Sequence, residues 1–330
     1  MRQSAAAALA LTVLLFGGAY LAAGKHPAQE TEPDGGAVRE QSAQGQKDGG
    51  VQLAVKNGDA VEIMALDVYL QGVVRGEMPA SFELEALKAQ AAAERTYIYY
   101  QLAAGRKEAH PNADVCTDPS CCNAWLSEEA AREKWGGDFD GWESRIEEAV
   151  AATDGQVALY DGQPILAVFH SSSAGLTRAA GQVWQNDLPY LKPVDSPEAK
   201  ETIPNYYSRV DFTPAALKEK LLAKIPSADL SGDKKSWLKD PIRDSAGSVE
   251  TVEVGGVTVR GGTVRAALGL RSACFEWELQ DGNFVFYVTG YGHGVGLSQY
   301  GADAMAESGA DYQTILTHYY TGVTVEVFNG

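Results

Sequence analysis

Basic charge is what this sequence has least of. Its 330 residues carry 27 Lys and Arg against 44 Asp and Glu, a formal net charge of −17. A protein that grips a nucleic-acid backbone needs a basic footprint, so no nucleic acid is expected among its partners. Cysteine is scarce too, with four in the chain, too few to staple a disulfide scaffold. No Gly-x-Ser-x-Gly elbow occurs, and Ser231-x-x-Lys234 has no Lys-Thr-Gly partner, which removes two familiar serine-nucleophile signatures. The glycine-rich stretch Gly290–Gly296 lacks the Lys-Ser/Thr ending of a phosphate loop. There is no internal repeat.

Long apolar runs are absent outside the N-terminus. There, Ala5–Ala23 carries no charge and follows Arg2, long enough to span a bilayer with the cation held inside. Two readings stand: an uncleaved signal anchor over residues 1–23, which the length of the run favours, and a signal peptide cleaved after Leu21-Ala22-Ala23. Both place the rest of the chain beyond the cytoplasmic face. Residues 24–50 are rich in Gln, Glu, Gly and Pro and hold one bulky aliphatic, Val38. They read as a disordered linker, unable to bury enough apolar surface to offset chain entropy.

From residue 51 onward, helical spacings alternate with short β-prone runs. Asn57-Gly58, Asp161-Gly162 and Asp281-Gly282-Asn283 mark hairpins. A helix over 67–74 breaks at Gly76-Glu77-Met78-Pro79, and a second, capped by Ser81, runs from 82 to 104. Residues 106–145 look polar and irregular. Helices over 298–307 and 311–320 and a strand over 323–328 close the chain. The fold class is α+β, mixed helices and short antiparallel strands, with two lobes meeting near 76–79 and 290–296 around a substrate groove.

Several residues carry the chemistry. Glu77 sits at an apolar helix corner, where desolvation raises a carboxyl pKa towards that of a general acid. Lys88 and Arg95, on one face of the second helix with Ala91 and Ala92 between them, suit a polar or anionic ligand. His170, Ser171 and Ser173 end a strand in hydroxyls that suit a sugar. His170 and Ser171 point to opposite faces, so they do not form a base–nucleophile pair. His293, Ser298, Gln299 and Tyr300 surround the glycine-rich loop as polar contacts. His110, Cys116, Cys121 and Cys122 supply three thiols and an imidazole, enough for a closed, structural zinc site. A disulfide or free thiols are the alternatives in an exported chain. Cys274 is expected to be a small core residue.

These motifs resemble the stage II sporulation protein D family. The likeness rests on Val68–Pro79 (VYLQGVVRGEMP), Glu85–Ala91 with Arg95-Thr96-Tyr97, His170–Ser173, Gly292–Ala302 (GHGVGLSQYGA) and the ending around His318-Tyr319-Tyr320, in that order over about residue 51 to 330. The resemblance implies a single catalytic domain over 51–330 with a zinc-binding insertion at 106–145. The implied activity is lytic transglycosylation of peptidoglycan strands lacking stem peptides, in sporulation engulfment. Glu77 matches the catalytic glutamate, and Lys88 and Arg95 match basic residues placed in the groove. Stage II sporulation proteins P and M are the implied partners. The implied location is the mother-cell membrane, with the domain facing the intermembrane space. Some members bind zinc through a His, Cys, His-Cys cluster, which His110, Cys116 and Cys122 fit. Cys121 stands where the family often has His, and Ala174 where it often has Gly. A branch of the superfamily enhances wall amidases, so a glycan-binding enhancer is the second reading. A wall peptidase ligating metal through His293 and the cysteines is the third.

Overall fold

The computed structural model describes residues 48–198 and 200–328. The anchor over 1–23 and the linker up to residue 47 lie outside the described residues. Among the described residues no helix is long and apolar enough to cross a membrane.

The chain opens with a hairpin, β1 (Gln52–Asn57) and β2 (Ala60–Ala65), turned at Gly58 as its sequence predicts. Two helices follow, α1 (Leu66–Glu77) and α2 (Leu84–Ala104). The second begins two residues later than expected: Glu83 occupies the cap position without a side-chain bond, and Ser81 is exposed. It is buried almost all round, because Ala86, Ala89, Ala91, Ala92 and Ala93 let neighbours approach on every side. β3 (Val115–Cys116) then pairs in parallel with β1.

The expected irregularity of 106–145 holds only to about residue 127. Beyond it lie α3 (Glu128–Trp135) and α4 (Phe139–Ala152). The latter buries Phe139, Glu143, Ile146, Ala149 and Val150, a helical spacing on one face. β4 (Gln156–Tyr160) and β5 (Gln163–Pro164) form the hairpin expected at Asp161-Gly162. β6 (Phe169–His170) leaves that sheet altogether, and a single helical turn, α5 (Ala180–Val183), follows.

A second lobe is inserted next. It comprises β7 (Tyr207–Phe212), α6 (Pro214–Lys224), β8 (Leu238–Arg243), β9 (Val249–Val254), β10 (Val257–Arg260), α7 (Gly261–Leu268), β11 (Phe275–Gln280) and β12 (Asn283–Thr289). Two three-stranded antiparallel sheets, β10-β9-β8 and β11-β12-β7, enclose its own core of Phe212, Leu217, Val252, Phe275 and Phe286.

The chain then returns to the first lobe with β13 (Leu297–Ser298), parallel to β6, then α8 (Gln299–Glu307), α9 (Tyr312–Tyr319) and β14 (Thr324–Val327) beside β4. These elements surround α2 and complete the larger core. The α+β class holds, with two short parallel pairings alongside the antiparallel sheets. The lobes are joined by a buried ion pair, Arg178 Nε to Asp244 Oδ2 at 2.6 Å.

Candidate active site

Glu77 is the last residue of α1, and Met78 after it is extended. Three contacts from two segments hold this corner. Arg145 of α4 donates to the carbonyl oxygens of Ala80, at 3.2 Å, and Phe82. Arg75, two residues before Glu77, is locked to Glu143 of α4 through Nε–Oε2 at 2.8 Å. The loop after the cysteines lies against α1 at its two glycines. A Cβ on Gly72 would meet the Trp125 indole at 2.0 Å, and one on Gly76 the Ala124 carbonyl oxygen at 2.7 Å. This close approach brings the Ala124 amide to the Glu77 carboxylate, donating to Oε1 at 2.5 Å.

Burial dominates the electrostatics. It pushes the Glu77 carboxyl from 4.5 up to about 7, against the opposing pull of the Ala124 amide. The group therefore holds its proton near neutrality, yet it remains partly exposed. Gln299, first residue of α8, donates from Nε2 to the Glu77 carbonyl oxygen at 3.0 Å and faces Gln90 Oε1 at 3.5 Å. Gln90 in turn donates to Glu94 at 2.9 Å. Glu94 has no exposed surface, and burial, then the nearby Glu77, raises its pKa well above the ordinary carboxyl range. Sequence reasoning missed Gln90 and Glu94, because an acid amid helical alanines looks like a solvated charge until neighbours cover it.

Tyr300 is the other predicted residue brought close to this corner. Its ring packs edge-on against Phe82 at 4.9 Å, and its amide donates to the Ser171 carbonyl oxygen at 3.0 Å. Ser171 itself is partly exposed.

Other expected contacts turn inward. Arg95 is a correction: it has no exposed surface, and its guanidinium clasps Asp48, with Nε to Oδ1 at 2.9 Å and Nη2 to Oδ2 at 2.5 Å. Its long side chain reaches through the core to the chain entrance, not into a groove. Asp48 belongs to a 3₁₀ turn, Asp48–Gly50, at the end of the expected linker. Lys88 stays half-buried, bonded to Glu85 at 2.7 Å. Ser173 and Ser298 are corrections of the same kind. Both hydroxyls donate to Oε1 of the buried Glu198, at 2.8 Å from Ser298, and Ser298 also caps α8 through the Gly301 amide. They fasten the chain; they do not reach solvent.

His170 lies inside as well, with His293 half-buried beside it. His170 Nδ1 stands 3.2 Å from the Val295 carbonyl oxygen, and burial pulls its pKa down to about 3. His293 accepts the Val295 amide at 3.0 Å and packs between Trp184 and His170. The glycines explain how. Gly292 (φ 117°) rests on the His170 Cβ, and Gly296 (φ 71°) on the Val168 carbonyl oxygen, where an added Cβ would stand at 2.6 and 2.1 Å; neither the angle nor the gap admits a side chain. His293 lies outside the cysteine cluster, which removes it as a shared metal ligand. Cys274 is only partly buried. It lines a cavity of about 400 Å³ on the second lobe with Lys200, Tyr206 and Arg243, which correction places it outside the core proper.

The cysteine cluster assembles as a unit. One ligand atom from each of His110, Cys116, Cys121 and Cys122 lies within 4.8 Å of the others, and all four cysteines of the chain are free thiols. The His110 Nδ1 bonds the Ala113 carbonyl at 2.9 Å, which turns Nε2 toward the Cys122 sulfur, 3.3 Å away. A backbone carbonyl on the outer nitrogen is the usual orientation device of a metal-ligating histidine. Hydrogen bonding from Cys116 draws the Cys122 thiol down to about 4. This donor set fits a closed tetrahedral Cys3His zinc site.

Comparison with known proteins decides the family. The family model for stage II sporulation protein (SpoIID) matches residues 55–160. Stage II sporulation protein D of Bacillus amyloliquefaciens is 36% identical over 266 residues, covering 81% of this chain and 75% of that protein. The chain belongs to the stage II sporulation protein D family. The protein of that name from Bacillus subtilis (strain 168) is also 36% identical, covering 81% of this chain and 76% of its own length. The amidase enhancer of Bacillus subtilis is 30% identical over 78% of this chain and 40% of its own length. As a stage II sporulation protein D family member, the chain carries the family match across the hairpin, α1, the Glu77 corner, α2 and the cysteine loop.

Proposed function

We propose that this protein is a peptidoglycan lytic transglycosylase that uses Glu77 as both acid and base. The observation that carries the reading is the Glu77 carboxyl: held at about 7, partly exposed, and fixed by the Ala124 amide. Hydrolysis of a glycosidic bond ordinarily needs two carboxylates. Glu94 is fully buried and bonded to Gln90, so it has no access to water at the sugar. A transglycosylase needs one. Glu77 protonates the oxygen leaving between N-acetylmuramic acid and N-acetylglucosamine. The resulting carboxylate then takes the proton of the muramoyl C6 hydroxyl, which closes on C1. The product is a 1,6-anhydro end, and no water is consumed.

Sporulation engulfment is the setting proposed, with the domain outside the cytoplasmic face on a single-pass anchor and stage II sporulation proteins P and M as partners. Zinc in the cysteine cluster is proposed as structural: bound, it would fix the loop that carries Ala124. The relative named as an amidase enhancer favours a second reading, a non-catalytic glycan-binding enhancer of a wall amidase.

The test incubates the chain and its Glu77→Gln form with glycan strands lacking stem peptides and reads products by mass spectrometry. Muramic ends lighter by one water, made only by the unaltered protein, are expected. Hydrated reducing ends would point to a hydrolase with a second carboxylate, for which Asp303 beside Tyr300 is the candidate. Binding without cleavage would favour the enhancer.

A further inference from the structure

Most cations around the Glu77 corner are committed to partners. Lys88 is bonded to Glu85, Arg95 to Asp48, Arg75 to Glu143 and Arg178 to Asp244, while Arg145 holds two carbonyls. Arg271 is the exception. It arrives from the second lobe, just after α7, and its carbonyl accepts the Gly292 amide at 2.9 Å, which fixes it to the glycine-rich loop. Its guanidinium lies over the Tyr291 ring at 3.9 Å. It forms no ion pair among the described residues, and its buried Nε has no hydrogen-bond partner there.

Its neighbours lead back to Glu77. Tyr291 exchanges backbone hydrogen bonds with Ser172, and the Ser171 carbonyl holds the Tyr300 amide. The Tyr300 ring rests on Phe82. Burial and then Asp303 raise the Tyr300 phenol pKa, and Arg271 pulls it the other way. Arg265, in the last turn of α7, also lacks an ion pair among the described residues; its Nε donates to the Leu270 carbonyl oxygen at 3.3 Å. Two guanidiniums thus flank Tyr291 without a carboxylate to neutralise them, in a chain whose net charge is −17. An unneutralised, partly desolvated guanidinium fork beside a ring matches a carboxylate by charge and by paired donors.

We infer that Arg271, backed by Arg265, is a carboxylate subsite that selects muramoyl residues whose lactyl group is a free acid because the stem peptide has been removed. This rests on the glycan reading above and deepens it. A muramoyl unit carrying its peptide has an amide at that position, and an amide offers the fork no charge. The acidic surface repels an anionic strand at longer range, so local recognition of the acid has to come from a group such as this one.

The test uses the full chain with Glu77→Gln, so that strands stay intact, and measures affinity for three preparations: peptide-free strands, the same strands with lactyl carboxylates converted to methylamides, and peptide-bearing strands. Charge-assisted hydrogen bonds lost on amidation predict binding about 10- to 100-fold weaker. Adding Arg271→Gln should lower affinity for the acid strand to that of the methylamide and leave the methylamide itself unchanged, an effect general loosening of the fold would not produce. Arg271→Lys should keep a smaller preference for the acid. Equal affinity of the Arg271-bearing chain for acid and methylamide overturns the inference and leaves the glycan reading intact. Tight, Arg271-dependent binding of peptide-bearing strands also overturns it, because the carboxylate recognised would then be on the peptide. Failure to bind any of the three, together with no cleavage by the chain retaining Glu77, removes the glycan reading and this inference with it.

Discussion

Glu77 joins two demands at one atom pair: burial that keeps a proton near pH 7, and enough exposure to pass it on. General-acid action needs the protonated form, so kcat/KM on peptide-free strands is expected to decline above about pH 7, the value to which burial raises the group. The same shift acts on stability. A carboxyl whose folded pKa is raised favours the folded state at low pH, and that contribution is lost as pH climbs from about 4.5 through 7. Glu77→Gln has no proton to lose. Its Tm relative to the unaltered protein should therefore be higher at pH 8 than at pH 5, while cleavage is abolished at both. A Tm difference that did not change with pH would argue against a desolvated carboxylate. The corner itself was legible in the sequence, since glycine and proline bracket an acid at the end of an apolar helix. Glu94, Gln90 and Arg271 were not, because each gains its meaning from residues far along the chain that come to lie on it.

Among the elements, the cysteine loop does the most for the site while touching Glu77 through one amide. Gly72 and Gly76 let it lie against α1, and the bond from Ala124 follows from that contact. Removing zinc, or the substitution Cys122→Ser, is expected to reduce cleavage through the loss of this bond and to move the decline above about pH 7 to higher pH, because the amide lowers the Glu77 pKa; elemental analysis of the purified chain should find zinc beforehand. Gly76→Ala should weaken the same contact while leaving the metal ligands untouched. α2 makes a different point. Its seven-residue spacing of Lys88 and Arg95 suggested a shared face turned to a ligand, yet the helix has almost no outward face at Arg95. Breaking the Arg95–Asp48 pair by Asp48→Ala leaves a buried guanidinium uncompensated and should cost about 3–5 kcal/mol in urea unfolding, with little change in KM where the protein stays folded. α4 escaped detection because its polar residues dominate the composition of the segment; the apolar ones at Phe139, Ile146 and Val150 are few but correctly spaced.

At the scale of the molecule, two hydrophobic cores share one chain, and the second is inserted between β6 and the glycine-rich loop. The helices α1, α2, α8 and α9 of the first lobe and the β11–β12 hairpin of the second were readable from periodicity and turn residues. The lobe junction was not, because the Arg178–Asp244 pair joins residues with no local pattern between them. Asp244→Asn should uncouple the cores, so that calorimetry shows two transitions where the unaltered protein shows one; a single, uniformly lowered transition would mean that the sheets communicate by other contacts. Arg271 comes to Tyr291 from the far side of that junction, so the same substitution is expected to weaken glycan binding without touching Glu77.

Asp48 provides the carboxylate for a guanidinium in the middle of the main core. It therefore also sets how the domain responds to proteolysis. A protease cutting ahead of residue 48 would leave the folded domain and its Asp48–Arg95 pair whole. A cut a few residues later would remove the counter-charge of Arg95 and unravel what it released. Which peptide bond is cut, within a span of a few residues, decides between shedding an intact domain and destroying it.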